Sequence, residues 1–432
     1  MNSRIVVVYD KGAVHPSEAV AGLAGVAIPI FAVADTEEAR RALPVLRHMG
    51  ETIELVREPR VNARRLAARR PDGIVTFSEK AVPTTAELAA ELGLAYHSPA
   101  TALALTNKAL QRERLREAGV DDTRSILIRS VADYERAMAA LGTQAVLKPA
   151  RGGGSRDTHP VDPATPSELT GRLVRHLLNH HSQAGLVLEE LLVGQSPPGI
   201  GDYVSVESAA VAGSVRHLAI TGKFPLIPPF REVGQFWPAR LDPHQRAAVL
   251  DLVTRALKAL AFDTGIAHTE VKLTPKGPRI IEVNGRLGGH LNELASRCGA
   301  PNLVRLAARI ALGETRLPDP IKTRKIVWQY NNPAPMAASR LLEVGDWNAL
   351  QTIPGITGYK PYFRVGDLPG AGVMTNPLDL VCGEADSVEH MLHQIDRMQD
   401  ALVYRFAVDG REHHVAARFL PGMGIDRQRE LT

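Results

Sequence analysis

A carboxylate, then a carboxylate and an amide two residues apart, then an arginine, sit among apolar residues in His268-Thr-Glu-Val-Lys-Leu-Thr-Pro-Lys-Gly-Pro-Arg-Ile-Ile-Glu-Val-Asn-Gly-Arg-Leu-Gly-Gly-His290. Glu270 belongs to one β-rich run and Arg279 to Asn284 form a second, with turn chemistry at Thr274-Pro-Lys-Gly277 between them, so a hairpin is expected. Strand side chains alternate faces, so Glu282 and Asn284 share one, and hairpin pairing can bring Glu270 beside them. Such a set suits Mg2+, which takes oxygen ligands and is usually held by few protein groups, with phosphate and water completing its shell. Arg286 offers a planar fork for a carboxylate or phosphate, and the Gly288 and Gly289 amides beyond it allow close approach of an anion. Glu and Asn on a strand face are also often just solvated, so the segment alone does not decide its role.

Other segments supply matching parts. Ala145-Val-Leu-Lys-Pro-Ala150 reads as a short strand carrying Lys148, followed by Arg151-Gly-Gly-Gly-Ser-Arg156. This is neither a Walker A loop nor a dinucleotide fingerprint. Gly152, Gly153, Gly154 and Ser155 instead make a flap whose backbone N–H groups can close over phosphates. The apolar run Ala184 to Gly194 ends in Glu189-Glu190-Leu191-Leu192, an edge able to bind a planar base through backbone groups and leucine faces. Thr106 to Gly119 has helical spacing with a glycine stop, and Lys108 lies in its first turn. A cation there opposes the helix dipole, which hints at an external anion.

In this order and spacing, Lys108, Lys148, the glycine flap, the Glu189–Leu192 hinge, Glu270, Glu282, Asn284 and Arg286 resemble the ATP-grasp superfamily and, within it, the carboxylate-amine ligases, over roughly residues 100 to 310. The resemblance implies that Lys108 and Lys148 contact ATP phosphates, Gly153, Gly154 and Ser155 close over them, and Glu189, Glu190, Leu191 and Leu192 hold adenine. It implies two Mg2+ ions, with Mn2+ as an alternative, on Glu270, Glu282 and Asn284, and Arg286 on an acyl phosphate. The chain departs from the pattern at Gln195 to Gly201, an apparent insertion, so Asp202 is only a provisional ribose ligand. Asn107 stands where many relatives have an acid.

The block Ile220 to Ala239 is similar to the corresponding stretch of L-amino-acid ligases, with Gln235 where histidine often follows Glu-x-Gly. Phe224, Phe230, Phe236 and Trp237 bring aromatics to Lys223, Arg231 and Glu232, as a pocket for a small zwitterion would. Glu232 suits an ammonium and Arg231 a carboxylate; a proline-stiffened surface loop is the alternative. The resemblance implies transfer of the γ-phosphoryl of ATP to a carboxylate, then attack by a neutral amine, with Arg286, Gly288 and Gly289 stabilising the tetrahedral oxyanion. His268 shares the strand face of Glu270, where it would contact substrate or accept the amine proton, or else serve as a satisfied core histidine.

The elements that must position these residues follow from periodicity. Strands at Arg4 to Tyr9, Ala27 to Val33, Thr52 to Val56 and Gly73 to Phe77 alternate with helical stretches, so a parallel sheet is expected. The resemblance then implies a division of the α/β chain into a Rossmann-like preATP-grasp domain at 1–100, a linking helix at 101–121, a lid at 122–200, a central antiparallel-sheet lobe at 201–320 and a C-terminal lobe at 321–432. Ser78-Glu79-Lys80, after a strand end, is placed to reach the substrate cleft. Arg57 to Arg70 reads as the solvated face of a helix.

With 432 residues, 44% hydrophobic and 5% aromatic, the chain has ample core material. Its net charge is +4, but Arg and Lys are scattered among acids, which argues against nucleic acid as a partner. Cys298 and Cys382 are far apart and lack metal spacing, and Ala19 to Ala34 is too short and interrupted for a membrane span, with no basic segment before it. A cytoplasmic protein acting on small carboxylate and amine substrates is expected, with a homodimer implied by the resemblance alone. Two alternatives stay open: another ligase or carboxylase of the superfamily acting on a metabolic carboxylate, and a non-catalytic nucleotide-binding module on the same fold.

Overall fold

The computed structural model describes residues 3–337, 339–370, 372–408 and 410–423. The first lobe has a four-stranded parallel sheet in the order Glu51–Glu54, Ala27–Val33, Ser3–Tyr9, Gly73–Thr76. Its central strands are buried on both faces, which explains their unbroken apolar run. Helix Leu303–Ala311 lies against this lobe: a Cβ on Gly22 would meet Val304 at 2.5 Å, and one on Gly73 would meet the Ala311 carbonyl at 2.6 Å. One apolar core joins Ile5, Leu23 and Phe31 to Leu291, Leu294, Val304 and Ala308, so the lobe is fixed against the chain that follows Arg286. Full burial of each such large side chain contributes about 1.5–3 kcal/mol.

The expected helix from Thr106 to Gly119 is interrupted at its start. Pro99–Thr106 and Lys108–Glu117 are separate helices, and Asn107 caps the second by accepting a hydrogen bond from the Leu110 N–H. Asn supplies that capping oxygen well, and the break places Lys108 at the first helical position. Residues 125–190 contain an antiparallel sheet ordered Ser125–Ile128, Leu186–Glu190, Ala145–Pro149, His159–Val161, backed by helices Val131–Leu141 and Ser167–His180 around Leu147, Val174 and Leu188.

The largest sheet has eight strands in the order Gly277–Asn284, Gly265–Thr274, Tyr203–Val211, Ser214–Lys223, Gly234–Trp237, Ile326–Tyr330, Asp379–Ala385, Ile356–Pro361. The predicted hairpin is its first pair, and the same sheet continues past residue 320 into the C-terminal part. Helix Pro243–Ala259, opened by Asp242 and Gln245 as a reciprocal cap, covers the hairpin side through Val249, Val253 and Leu257. A separate core around Trp328, Met391, Met398 and Phe406 supports the other end.

Candidate active site

Hairpin register decides the centre of the site. Glu270 lies directly opposite Glu282, and His268 opposite Asn284, with a bulge after Glu270. Two carboxylates therefore face each other, a repulsive arrangement unless cations intervene. Each has one: Lys108 Nζ lies 2.7 Å from Glu282 Oε1, and His268 Nε2 lies 3.4 Å from Glu270 Oε1. Burial opposes ionisation of Glu270, but His268 and then Lys223 outweigh it and bring the carboxyl down to about 2.

The donors read from sequence converge on this centre. Lys108, Lys148, Gly152 to Ser155, Glu189 to Leu192, Glu232, Glu270 and Glu282 line one cavity of about 160 Å³. Lys108 Nζ also donates to the Gly152 carbonyl at 2.6 Å, tying the flap to the cleft. In the flap, Gly152, Gly154 and Ser155 have φ of 130°, 68° and 53°, conformations that favour glycine at the first two. A loop of the C-terminal part meets the flap, with the Thr375 N–H donating to the Gly154 carbonyl at 2.8 Å and the Asp157 N–H donating to the Val373 carbonyl at 2.8 Å. The same Thr375 offers its hydroxyl to the Glu232 N–H at 3.0 Å.

Arg286, like Asn284, is not among the residues that line this cavity. Its guanidinium donates to Glu79 Oε2 at 2.8 Å and to Asn284 Oδ1 at 3.3 Å, bringing Glu79 of the first lobe to the hairpin. Glu79 Oε1 is buried without a hydrogen-bond partner, and burial, reinforced by Glu282, raises this carboxyl above its ordinary value. The facing pair Glu270 and Glu282, the amide oxygen of Asn284 and this unpartnered oxygen are oxygen donors of the kind a hard divalent cation takes. Among the described residues no three His, Cys, Asp or Glu side chains form a cluster that could hold a metal ion by themselves.

Several expected roles need correction. The Arg231 fork is not free for a substrate carboxylate: it is buried and donates to the carbonyls of Pro228, Ala334 and Pro421 at 3.0, 3.0 and 3.2 Å. Phe224, Phe236 and Trp237 are core residues, and only Phe230 of that group lines the cavity. Glu189 turns its carboxylate to Arg112 and Lys148. At the hinge, the Glu190 and Leu191 N–H groups already donate to the Arg124 and Gln144 carbonyls, which leaves the Leu192 N–H as the candidate donor to a base.

Asp202 is held by Lys272 at 2.6 Å and lines a larger open cleft of about 1250 Å³, which shares Leu191, Leu226, Phe230 and Lys272 with the smaller cavity. The insertion Gln195 to Ile200 forms part of its wall. Lys223 and Glu232 come together at 3.3 Å, the lysine also reaching Gln235. His268 Nδ1 lies 2.9 Å from Glu207. Burial works against its cation, yet Glu207 outweighs it and pushes the imidazole up to about 9. Gly288 packs on this ring, since a Cβ there would meet His268 Nδ1 at 2.5 Å, and the Gly289 carbonyl accepts from Gln235 at 2.9 Å.

Sequence reasoning assigned no role to Arg112 or to the buried carboxylate of Glu207 as the partner of His268. For Arg112 the signal was its place four residues after Lys108, on one helix face; for Glu207 it was strand alternation with Ser205.

The architecture is that of the ATP-grasp fold. A solved L-amino acid ligase from Bacillus licheniformis superposes with a TM-score of 0.71 at 21% identity, covering 93% of this chain and 98% of that one. The N5-carboxyaminoimidazole ribonucleotide synthetase of Thermotoga maritima superposes at 0.66 with 16% identity, over 93% and 98% of the two chains. By sequence, the chain is 27% identical over 315 residues to uncharacterized protein y4rH of Sinorhizobium fredii, covering 70% of this chain and 61% of that protein. It is 26% identical over 231 residues to alanine–anticapsin ligase of Bacillus subtilis, covering 50% and 49%, and 28% identical over 256 residues to human carnosine synthase 1, covering 56% and 31%. The matches thus span about three fifths or less of these relatives' lengths. No protein-family model matches the chain. Sequence and fold together bear out the resemblance to ATP-grasp ligases, L-amino-acid ligases among them. No helix among the described residues is long and apolar enough to cross a membrane.

Proposed function

We propose that this protein is an ATP-dependent carboxylate-amine ligase that joins amino-acid-like substrates through an acyl phosphate and releases ADP and phosphate. The observation that carries this reading is the cavity in which two lysines, a glycine flap and facing carboxylates meet, with Arg286 bonded to Asn284 at the end of the same hairpin. Lys108 and Lys148 would bind the phosphates, and the flap would exclude water so that the amine, rather than solvent, attacks the activated carboxyl. Mg2+ held by Glu270, Glu282 and Asn284 would neutralise phosphate charge. Arg286, whose Nη2 is held by Glu79 and Asn284, would offer its remaining N–H groups to the carboxylate and then stabilise the oxyanion, a donor of that kind contributing about 3 kcal/mol.

Glu232, beside Lys223 and facing the cavity, is the candidate for the substrate ammonium. The sequence relatives favour amino-acid substrates over the nucleotide precursor handled by the second structural neighbour, with which the likeness is one of fold. ADP release should require two components of an amino-acid pool, and mass spectrometry should find their condensation product. ADP release with a single carboxylate and bicarbonate or ammonia would favour another superfamily activity, and nucleotide binding without turnover would favour the non-catalytic module.

A further inference from the structure

Arg112 lies where three nucleotide-facing elements cross. It is on helix Lys108–Glu117, one turn after Lys108, and only 4% exposed. Nε and Nη2 donate to the two oxygens of Glu189 at 3.1 and 3.0 Å, a bidentate pair. Nη1 and Nη2 also donate to the carbonyls of Ile280 and Ile281 at 2.6 and 3.1 Å, immediately before Glu282. Glu189 Oε2 lies 2.8 Å from Lys148 Nζ. Asp121, 3.5 Å from Arg112, takes the Ile280 N–H at 2.8 Å, so the same strand is held from its donor side as well.

We propose that Arg112 is a positioning residue for nucleotide binding: through Glu189 it fixes Lys148, and through the Ile280 and Ile281 carbonyls it sets the strand that presents Glu282. Helix, hinge strand and hairpin are otherwise distant in sequence, and this guanidinium bonds all three. A lysine cannot do the same, because its point charge has no fixed fork to span a carboxylate and two carbonyls. Glu189 is the shared member: it accepts from Arg112 and lies against Lys148, so its loss would leave these two cations without their shared counter-ion. This inference rests on the reading of the cavity as a nucleotide site.

Binding of a fluorescent ATP analogue with Mg2+, titrated against the full chain, tests it without any knowledge of the other substrates. Wild type, E189Q, R112M, R112K and the R112M/E189Q double variant are compared, with the number of active sites and the thermal midpoint measured in parallel. The expected result is a Kd raised at least tenfold in E189Q and R112M, no recovery in R112K, and a double variant no weaker than the weaker single one, because both changes break one pathway. A purely structural defect would instead reduce the number of sites and leave Kd unchanged. Should R112M fail to fold, E189Q decides alone. Kd within threefold of wild type in folded E189Q overturns the inference, as does a double variant whose loss equals the product of the single losses. Failure of the wild type to bind the analogue overturns the nucleotide-site reading itself, a result distinct from both.

Discussion

Glu189 in the cleft and Asp379 in the C-terminal part are equally hidden, at 4% and 0% exposure, yet they hold their protons oppositely. Burial alone would raise both. Around Glu189 the cations Arg112 and Lys148 outweigh it and bring the carboxyl down to about 2. Around Asp379 every partner is neutral: the hydroxyls of Tyr404 and Tyr359 and the amide of Asn332, the last at 2.8 Å, donate to it, and burial still pushes it up to about 6. Depth therefore does not set the charge of a buried acid; the sign of its partners does. Glu189 sits in an alternation of opposite charges, whereas the C-terminal network joins strands through hydroxyls and an amide.

The sharpest way to break this contrast is to remove charge from the cleft. E282Q should leave a folded protein whose ADP production falls on the order of 100- to 1000-fold, measured with far-UV circular dichroism as the folding control. Near-normal turnover would remove Glu282 from the metal site. R286K should follow, with a loss of about 100-fold in kcat/KM, because the point charge cannot reproduce the fork toward substrate, Glu79 and Asn284. In urea unfolding, R112M should lower stability by about 3 kcal/mol, since it strips one partner from a buried ion pair; D379N, which keeps neutral neighbours neutral, should change it far less.

The smallest effect separates the two acids by pH. Because the folded pKa of Asp379 is raised, its contribution is fully present below the ordinary carboxylate value and fades as pH rises through about 6. For Glu189 the folded pKa is depressed, so its contribution is present above the ordinary value and is lost as pH falls through about 2. Denaturant midpoints should therefore show a decline of about 1–2 kcal/mol between roughly pH 4 and 6 that D379N flattens and E189Q does not. An unchanged slope in D379N would show that another group titrates there.

The hairpin was legible because its information is local: Glu282 and Asn284 are two apart, and Thr274 to Gly277 has the residues of a turn. The first four strands were legible for the same reason, as apolar runs between helical spacings. Arg231 and the aromatics around it misled, because a charged loop beside phenylalanines has one composition whether it faces a pocket or ties down a neighbour. Only the carbonyls of Ala334 and Pro421, far along the chain, tell the cases apart. Glu79 meeting Arg286 and Arg112 meeting Glu189 are likewise joined by tertiary packing, which leaves no periodic trace.

The eight-stranded sheet passes without interruption from the hairpin to Ile356–Pro361, and the segment around Thr375 touches the flap. A shortened chain ending near residue 320 would consequently not be a simpler version of this molecule. It would bare the Gly234–Trp237 strand as a sticky margin inviting self-association, and it would strip the glycine flap of its two backbone bonds to Val373 and Thr375, leaving Lys108 as its tether.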